Sequence, residues 1–189
     1  MPLRYSYPTL LLAALAVSTV AGCGGGSSTN ALGLTPESPG QSTMAAPSEQ
    51  DETWMKTIHQ GNLAEIAAGK LAQDQGATEN VKALGELLVK DHTKFDASVR
   101  KAAEKLGVQL PNDPTDMQVE AAKTLKQESG KKFDQAWIDA MIKAHEGAIK
   151  DTTAEQQGGA SSAVQELAKT AMPTLEKHLE KLKQAAGGQ

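Results

Sequence analysis

The chain has 189 residues, 19 basic and 23 acidic side chains, four histidines, one cysteine and a formal net charge of −4 at pH 7. An acid balance with scattered lysines excludes a nucleic-acid-binding face, and 3% aromatic content excludes an all-β domain, which relies on aromatic and β-branched side chains. One cysteine leaves no internal disulfide and no thiolate metal cluster.

Residues 1–22 read as an export signal. Arg4 gives a weakly positive start, and the apolar run Leu10 to Val17 is too short to span a bilayer. Val20-Ala21-Gly22-Cys23 looks like a bacterial lipobox, in which small residues precede a cysteine that is acylated and freed by cleavage. One acyl chain holds a membrane only marginally, whereas two or more anchor stably. A lipidated Cys23 would therefore tie the chain to a membrane surface and consume its only thiol. Gly24 follows it, where an aspartate would retain the protein at the inner membrane. The expected address is the outer membrane, facing the periplasm. Loss of Arg4 with the signal leaves 18 basic against 23 acidic residues. Residues 23–50 are rich in Gly, Ser, Thr, Pro and Ala, too poor in apolar surface to offset ordering entropy, and are expected to form a disordered tether. Residues 51–186, about 135 in all, suit one domain.

Helix-period apolar spacing begins at Trp54. The first helix is expected over Glu52–Gln75, with a core-facing series Trp54, Ile58, Gly61, Glu65, Ala68 and Ala72. A second, capped by Thr78, carries Val81, Leu84, Leu88, Phe95 and Val99 on one stripe and closes at Gly107. Pro111 to Thr115 breaks the chain, and Thr115 or Asp113 can cap a short helix over Asp116–Gln127. A third long helix over Lys131–Gln156 presents Phe133, Trp137, Met141 and Ala148. After Gly158-Gly159, Ser162-x-x-Gln165 is a capping-box pattern for a last helix to Ala185, with Pro173 inside it as an expected kink. Four long amphipathic helices with a short extra one between the second and third predict an all-α, ferritin-like four-helix bundle. The 107–130 segment can cross from one end of the bundle to the other. A plain antiparallel five-helix bundle is the alternative.

Several short motifs follow in order: Glu65 with Lys70-Leu71-Ala72, Lys90-Asp91-His92-Thr93, Gly107-Val108 with Leu110-Pro111, Phe133-Asp134, Lys143-Ala144-His145-Glu146, and Met172-Pro173-Thr174-Leu175 with His178-Leu179. Together they resemble domain-of-unknown-function family 4142 over residues 51–184. The first helix matches only loosely beyond Trp54. The resemblance implies an exported bacterial protein with a ferritin-like helical fold, and it brings no established enzymatic activity.

Three histidines fall on apolar stripes of three different long helices. His92 lies between Leu88 and Phe95, His145 between Met141 and Ala148, and His178 between Leu175 and Leu182. With Glu65 on the first helix, each long helix sends one potential ligand inward. In the crossover topology, at about 1.5 Å of rise per residue, Glu65, His92 and His145 come within about 5 Å in height, with His178 somewhat higher. Three imidazoles and a carboxylate suit a transition-metal ion such as zinc, copper or iron. Asp91 and Glu146 neighbour the histidines in sequence but point about 100° away, as candidates for an outer shell or the surface. Val89 and Leu175 stand where a di-iron site needs the Glu of Glu-x-x-His. His59, one residue off the Ile58 stripe, is expected at the surface.

No catalytic motif accompanies this set: there is no Gly-x-Ser-x-Gly elbow, phosphate loop or His-Glu-x-x-His helix. Two main functional readings follow, and a third, an oxidoreductase with a bound metal, would need an open coordination position and a substrate path. One is a non-enzymatic, membrane-anchored envelope protein that binds a protein partner or serves stress tolerance, its histidines a structural polar network. The other is a periplasmic metal-binding protein using Glu65, His92, His145 and His178. Oligomeric state leaves no signature in the sequence.

Overall fold

The structure is a computed structural model that describes residues 46–188. The predicted signal segment, Cys23 and most of the expected tether lie outside the described residues. Five helices follow in order: α1 Glu49–Gln75, α2 Glu79–Leu106, α3 Asp116–Gln127, α4 Gly130–Gly158 and α5 Ser162–Gly187.

Each boundary has a local cause. α1 begins three residues before the expected start at Glu52, because Ser48 and Asp51 cap each other: the Ser48 hydroxyl accepts from Asp51 N at 3.2 Å while the Asp51 carboxylate accepts from Ser48 N at 2.6 Å. Ser48, Glu49 and Gln50, which were expected to lie in the tether, belong to the cap and first turn of α1. Thr78 caps α2, and Gly107 closes it in the left-handed conformation (φ 71°) that glycine adopts without strain. Of the two candidate caps for α3, Thr115 is the one used, in a reciprocal pair with Gln118. The box expected at Ser162-Gln165 does not form. Ser161 is the N-cap, without a side-chain bond, and the amides of Ala160 and Ser161 donate instead to Asp51 at the start of α1. Gln165 turns back to the carbonyls of Gly159 and Gln156. A partner over a hundred residues away thus outcompetes the local cap. α5 continues through Pro173.

The contacts define the topology. α1 pairs with α2 and α4 with α5, and the two hairpins pack α1 on α4 and α2 on α5. Asp134, at the start of α4, accepts from the amides of Ala77 and Thr78 in the α1–α2 turn at 2.8 and 3.0 Å. Asp51, at the start of α1, meets the α4–α5 turn at the other end. Since α2 finishes opposite to where α4 begins, the chain between them crosses the length of the bundle, and α3 lies in that crossover against α1 and α4. This is the ferritin-like arrangement. Among the described residues no helix is long and apolar enough to cross a membrane.

The core is divided. One apolar cluster, with Phe133, Trp137, Leu88 and Leu182, fills the end near the α1–α2 turn. A second, with Trp54, Met55, Val99 and Val164, fills the opposite end. Between them lies a polar layer: Asn62, Glu65, His92, His145 and His178 are all buried.

A candidate metal centre in the polar layer

Each long helix contributes to this layer at the point where its stripe passes between the two apolar clusters. The three imidazole rings are mutually adjacent, with centroids 5.4–5.5 Å apart, and one nitrogen from each lies within 4.8 Å of the others. His178 does reach the height of the others. Glu65 flanks the group: its Oε2 is 2.9 Å from His92 Nε2 and 3.4 Å from His145 Nδ1. It stands outside the closest trio and borders two of its members.

The outward side of every ring is held by an acceptor. His92 Nδ1 donates to Asn62 Oδ1 at 2.9 Å, His145 Nδ1 to the Met141 carbonyl at 2.9 Å, and His178 Nε2 to Asp91 Oδ2 at 3.0 Å. A carbonyl or carboxylate cannot donate back, so each bond fixes the tautomer and leaves the other nitrogen of a neutral ring with a bare lone pair. The nitrogens so left are His92 Nε2, which faces Glu65 Oε2 at 2.9 Å, and, bare of a proton, His145 Nε2 and His178 Nδ1. The last two face each other at 3.3 Å. Two lone pairs at that separation repel, whereas two ligands of a tetrahedral ion with bonds of about 2.0–2.1 Å stand about 3.3–3.4 Å apart.

The electrostatics place one charge pair here. Burial presses Glu65 toward its neutral form, but the neighbouring imidazoles, His92 foremost, outweigh it and hold the carboxyl below its usual range. Burial likewise opposes a charge on His92, yet the Glu65 carboxylate prevails and raises it. His145 is lowered by burial and by the nearby His92. His178 is lowered to about 4, by burial first and then by the other two rings, against the pull of Asp91. The metal-free layer is thus a Glu65–His92 ion pair beside two neutral imidazoles. Even so, the 2.9 Å approach of Glu65 to His92 is not aligned as a hydrogen bond. Glu65 Oε2, His92 Nε2 and Asn62 Nδ2 are buried polar atoms without a hydrogen-bond partner. Such atoms cost about 1–3 kcal/mol each and are few in native structures.

The other sequence candidates separate. Asp91 is an outer partner, bonded to His178 with its side chain 30% exposed. Glu146 is away from the layer, in a surface ion pair with Lys183 at 2.8 Å. His59 is not at the surface. It is 4% exposed, with Nδ1 2.6 Å from Asp96 and Nε2 2.9 Å from the Pro111 carbonyl, and it fastens the crossover to α1. The expected α1 stripe ran through Gly61; the buried position is Asn62. Its spacing of four from Ile58 and three to Glu65 was the available signal, masked because a polar amide does not register in an apolar pattern.

The bundle resembles two solved structures. A DUF305 fragment from Deinococcus radiodurans superposes with a TM-score of 0.69 at 12% identity, covering 77% of this chain and all of that one. CopM in its Cu(I)-bound form superposes with a TM-score of 0.60 at 14% identity, covering 71% of this chain and 93% of that one. At such identities the likeness is one of fold. A search of curated proteins found no match. The family described as Domain of unknown function (DUF4142) has a model that matches residues 36–185, and the chain belongs to that family.

Proposed function

We propose that this domain binds a transition-metal ion in its polar layer through His92, His145 and His178, with Glu65 at hand as a carboxylate ligand. The observation that carries this reading is the meeting of the three rings: each bonds an acceptor outside the trio through one nitrogen, and one nitrogen of each lies within 4.8 Å of the others. Metal-bound histidines are held in this way, the outer acceptor fixing the ring and raising its basicity. Three imidazoles and a carboxylate suit zinc, copper or iron. The lipobox at Cys23 supports a lipid-anchored protein of the bacterial envelope, with the bundle holding or delivering its ion in the periplasm.

The test is metal content by mass spectrometry of the protein recovered from the envelope, beside His145→Ala. The expected result is near-stoichiometric zinc, copper or iron in the wild type and its loss in the variant. Binding must also displace the proton on His92, so uptake should release protons and weaken in acid. A wild type that holds no ion and takes none up, with a variant that loses only thermal stability, would establish the second reading. In that case the layer is a structural network that gives the bundle a unique packing, in a domain serving a protein partner in the envelope.

A further inference from the structure

The polar layer is not equally closed on all sides. Toward α1 and α4 the crossover covers the bundle: Pro111 and Asp113 lie on His59 and Gln60, and Leu125 of α3 joins the apolar cluster above the layer. Among the described residues, the α2–α5 side carries no such cover. There a cleft of about 280 Å³ opens between the two helices, and its wall includes both Asp91 and His92, with Phe95, Thr170 and Thr174 beside them. One member of the histidine trio, His92, thus stands in the wall of the cleft. The second large cleft, about 450 Å³, lies between Glu49–Thr57 and Asp151–Glu155 and touches no histidine.

We propose, on the strength of the metal-binding reading, that ions reach the polar layer through the α2–α5 cleft and that Asp91 is the group that receives them. Asp91 is placed for this work. Its side chain is 30% exposed while that of its partner His178 is fully buried, and Oδ2 stands 3.0 Å from His178 Nε2. A carboxylate at the mouth draws a hydrated cation and replaces part of its water shell before the dry interior is reached. His178 links it inward, its other nitrogen 3.3 Å from His145 Nε2. Thr174 lies one turn before His178 on α5, in the wall of the passage. Lys94 also lines the mouth, one turn after Asp91 on α2 and exposed. Its positive charge opposes the approach of a cation to the mouth.

The experiment follows Co²⁺ uptake by the full mature protein in stopped flow, using the visible absorption of the bound ion. Thr174→Trp, which fills the cleft and leaves every ligand in place, is expected to slow loading at least about tenfold with unchanged final occupancy. Asp91→Asn is expected to slow loading by a similar factor, whereas loss of a mere support for His178 would speed release and leave loading alone. Lys94→Gln should load about two- to threefold faster at low salt, an advantage that fades as salt screens the mouth. Thr57→Trp, in the other cleft, is the control and should load at the wild-type rate. If the wild type takes up Co²⁺ and Thr174→Trp and Asp91→Asn load as fast as it does, the route is overturned and the metal site stands. If the wild type takes up none, the metal-binding reading itself falls.

Discussion

His178 carries a pH signature that can be read in the metal-free protein. Its ring, at 6.5 when exposed, is lowered to about 4 in the fold. Between those values the unfolded chain binds the extra proton and the folded one does not. The stability it contributes is therefore present above pH 6.5 and lost as pH falls toward 4. His178→Gln should flatten that part of the stability curve by on the order of 2–3 kcal/mol, measurable as the pH dependence of urea midpoints in chelator-treated protein. An equally steep acid limb in the variant would show that another group governs it. At this scale the sequence was partly legible. The offsets of His92, His145 and His178 from Leu, Met and Phe neighbours marked them as inward-facing, because helical periodicity alone decides that. Of the outer acceptors, Asp91 was named as an outer-shell candidate, while Asn62 and the Met141 carbonyl are met only through packing. His59 was misread because Asp96 and the Pro111 carbonyl, its partners, become neighbours only when the crossover lies on α1.

At the scale of the helix, α1 and α2 approach one another through glycine. A Cβ on Gly69 would stand 2.7 Å from the Gly85 carbonyl oxygen, and one on Gly85 would stand 2.6 Å from that of Gly69. The two backbones are in direct contact, so neither position admits a side chain unless the helices part. Propensity favours alanine over glycine inside a helix by about 1 kcal/mol, while forcing a methyl group into a closed contact costs about 1–3 kcal/mol. Packing outweighs propensity, and Gly85→Ala should lower the unfolding free energy by about 1–2 kcal/mol. Urea denaturation checks it, and a stabilised variant would show that the helices part easily. Isolated glycines within a helical pattern read from sequence only as weak points; that they face each other is a fact of the hairpin. The helix limits were legible wherever a local device sets them, as at Thr78, Gly107, Thr115 and Gln127. They were not legible at Ser161, where Asp51 supplies the acceptor from another helix.

Across the whole molecule, the end where α1 begins is closed by two carboxyl groups. Asp51, which caps α1 and receives the amides of the α4–α5 turn, also meets Glu155 of α4, and both are almost fully buried. Burial raises Glu155 to about 7, and the adjoining Asp51 reinforces the shift. Asp51, though burial opposes its charge, is held below its usual range by its bonds to Ser48, Glu155 and the Ser161 amide. A protonated Glu155 can donate to the Asp51 carboxylate, which favours keeping that proton on Glu155. For Glu155 the sign is opposite to that of His178: its contribution is complete below pH 4.5 and is lost as pH rises through about 7. Glu155→Gln keeps a donor toward Asp51 and should stabilise the protein at pH 8 by on the order of 1–2 kcal/mol, less than the full shift because the pair lies at the end of the bundle, close to solvent. It should have little effect near pH 5. Thermal unfolding at the two pH values decides it, and equal effects at both would remove the Glu155 proton from the account.

The sequence by itself determined the helices, the stripe on each, and the identity of the inward-facing ligand candidates, because these follow from a period of 3.6 residues and from caps made within one turn. It also carried the family motifs and the crossover length that made a ferritin-like bundle the expected topology. The tertiary structure alone decided which polar groups answer one another: Asn62 to His92, Asp91 to His178, Asp96 to His59, and Asp51 to both Glu155 and the start of α5. It alone showed that the α2–α5 side carries a cleft reaching His92 while the crossover covers the opposite side. Those relations join residues some 30 to 110 positions apart, and no local periodicity encodes such a pairing. They come into being only when four helices pack.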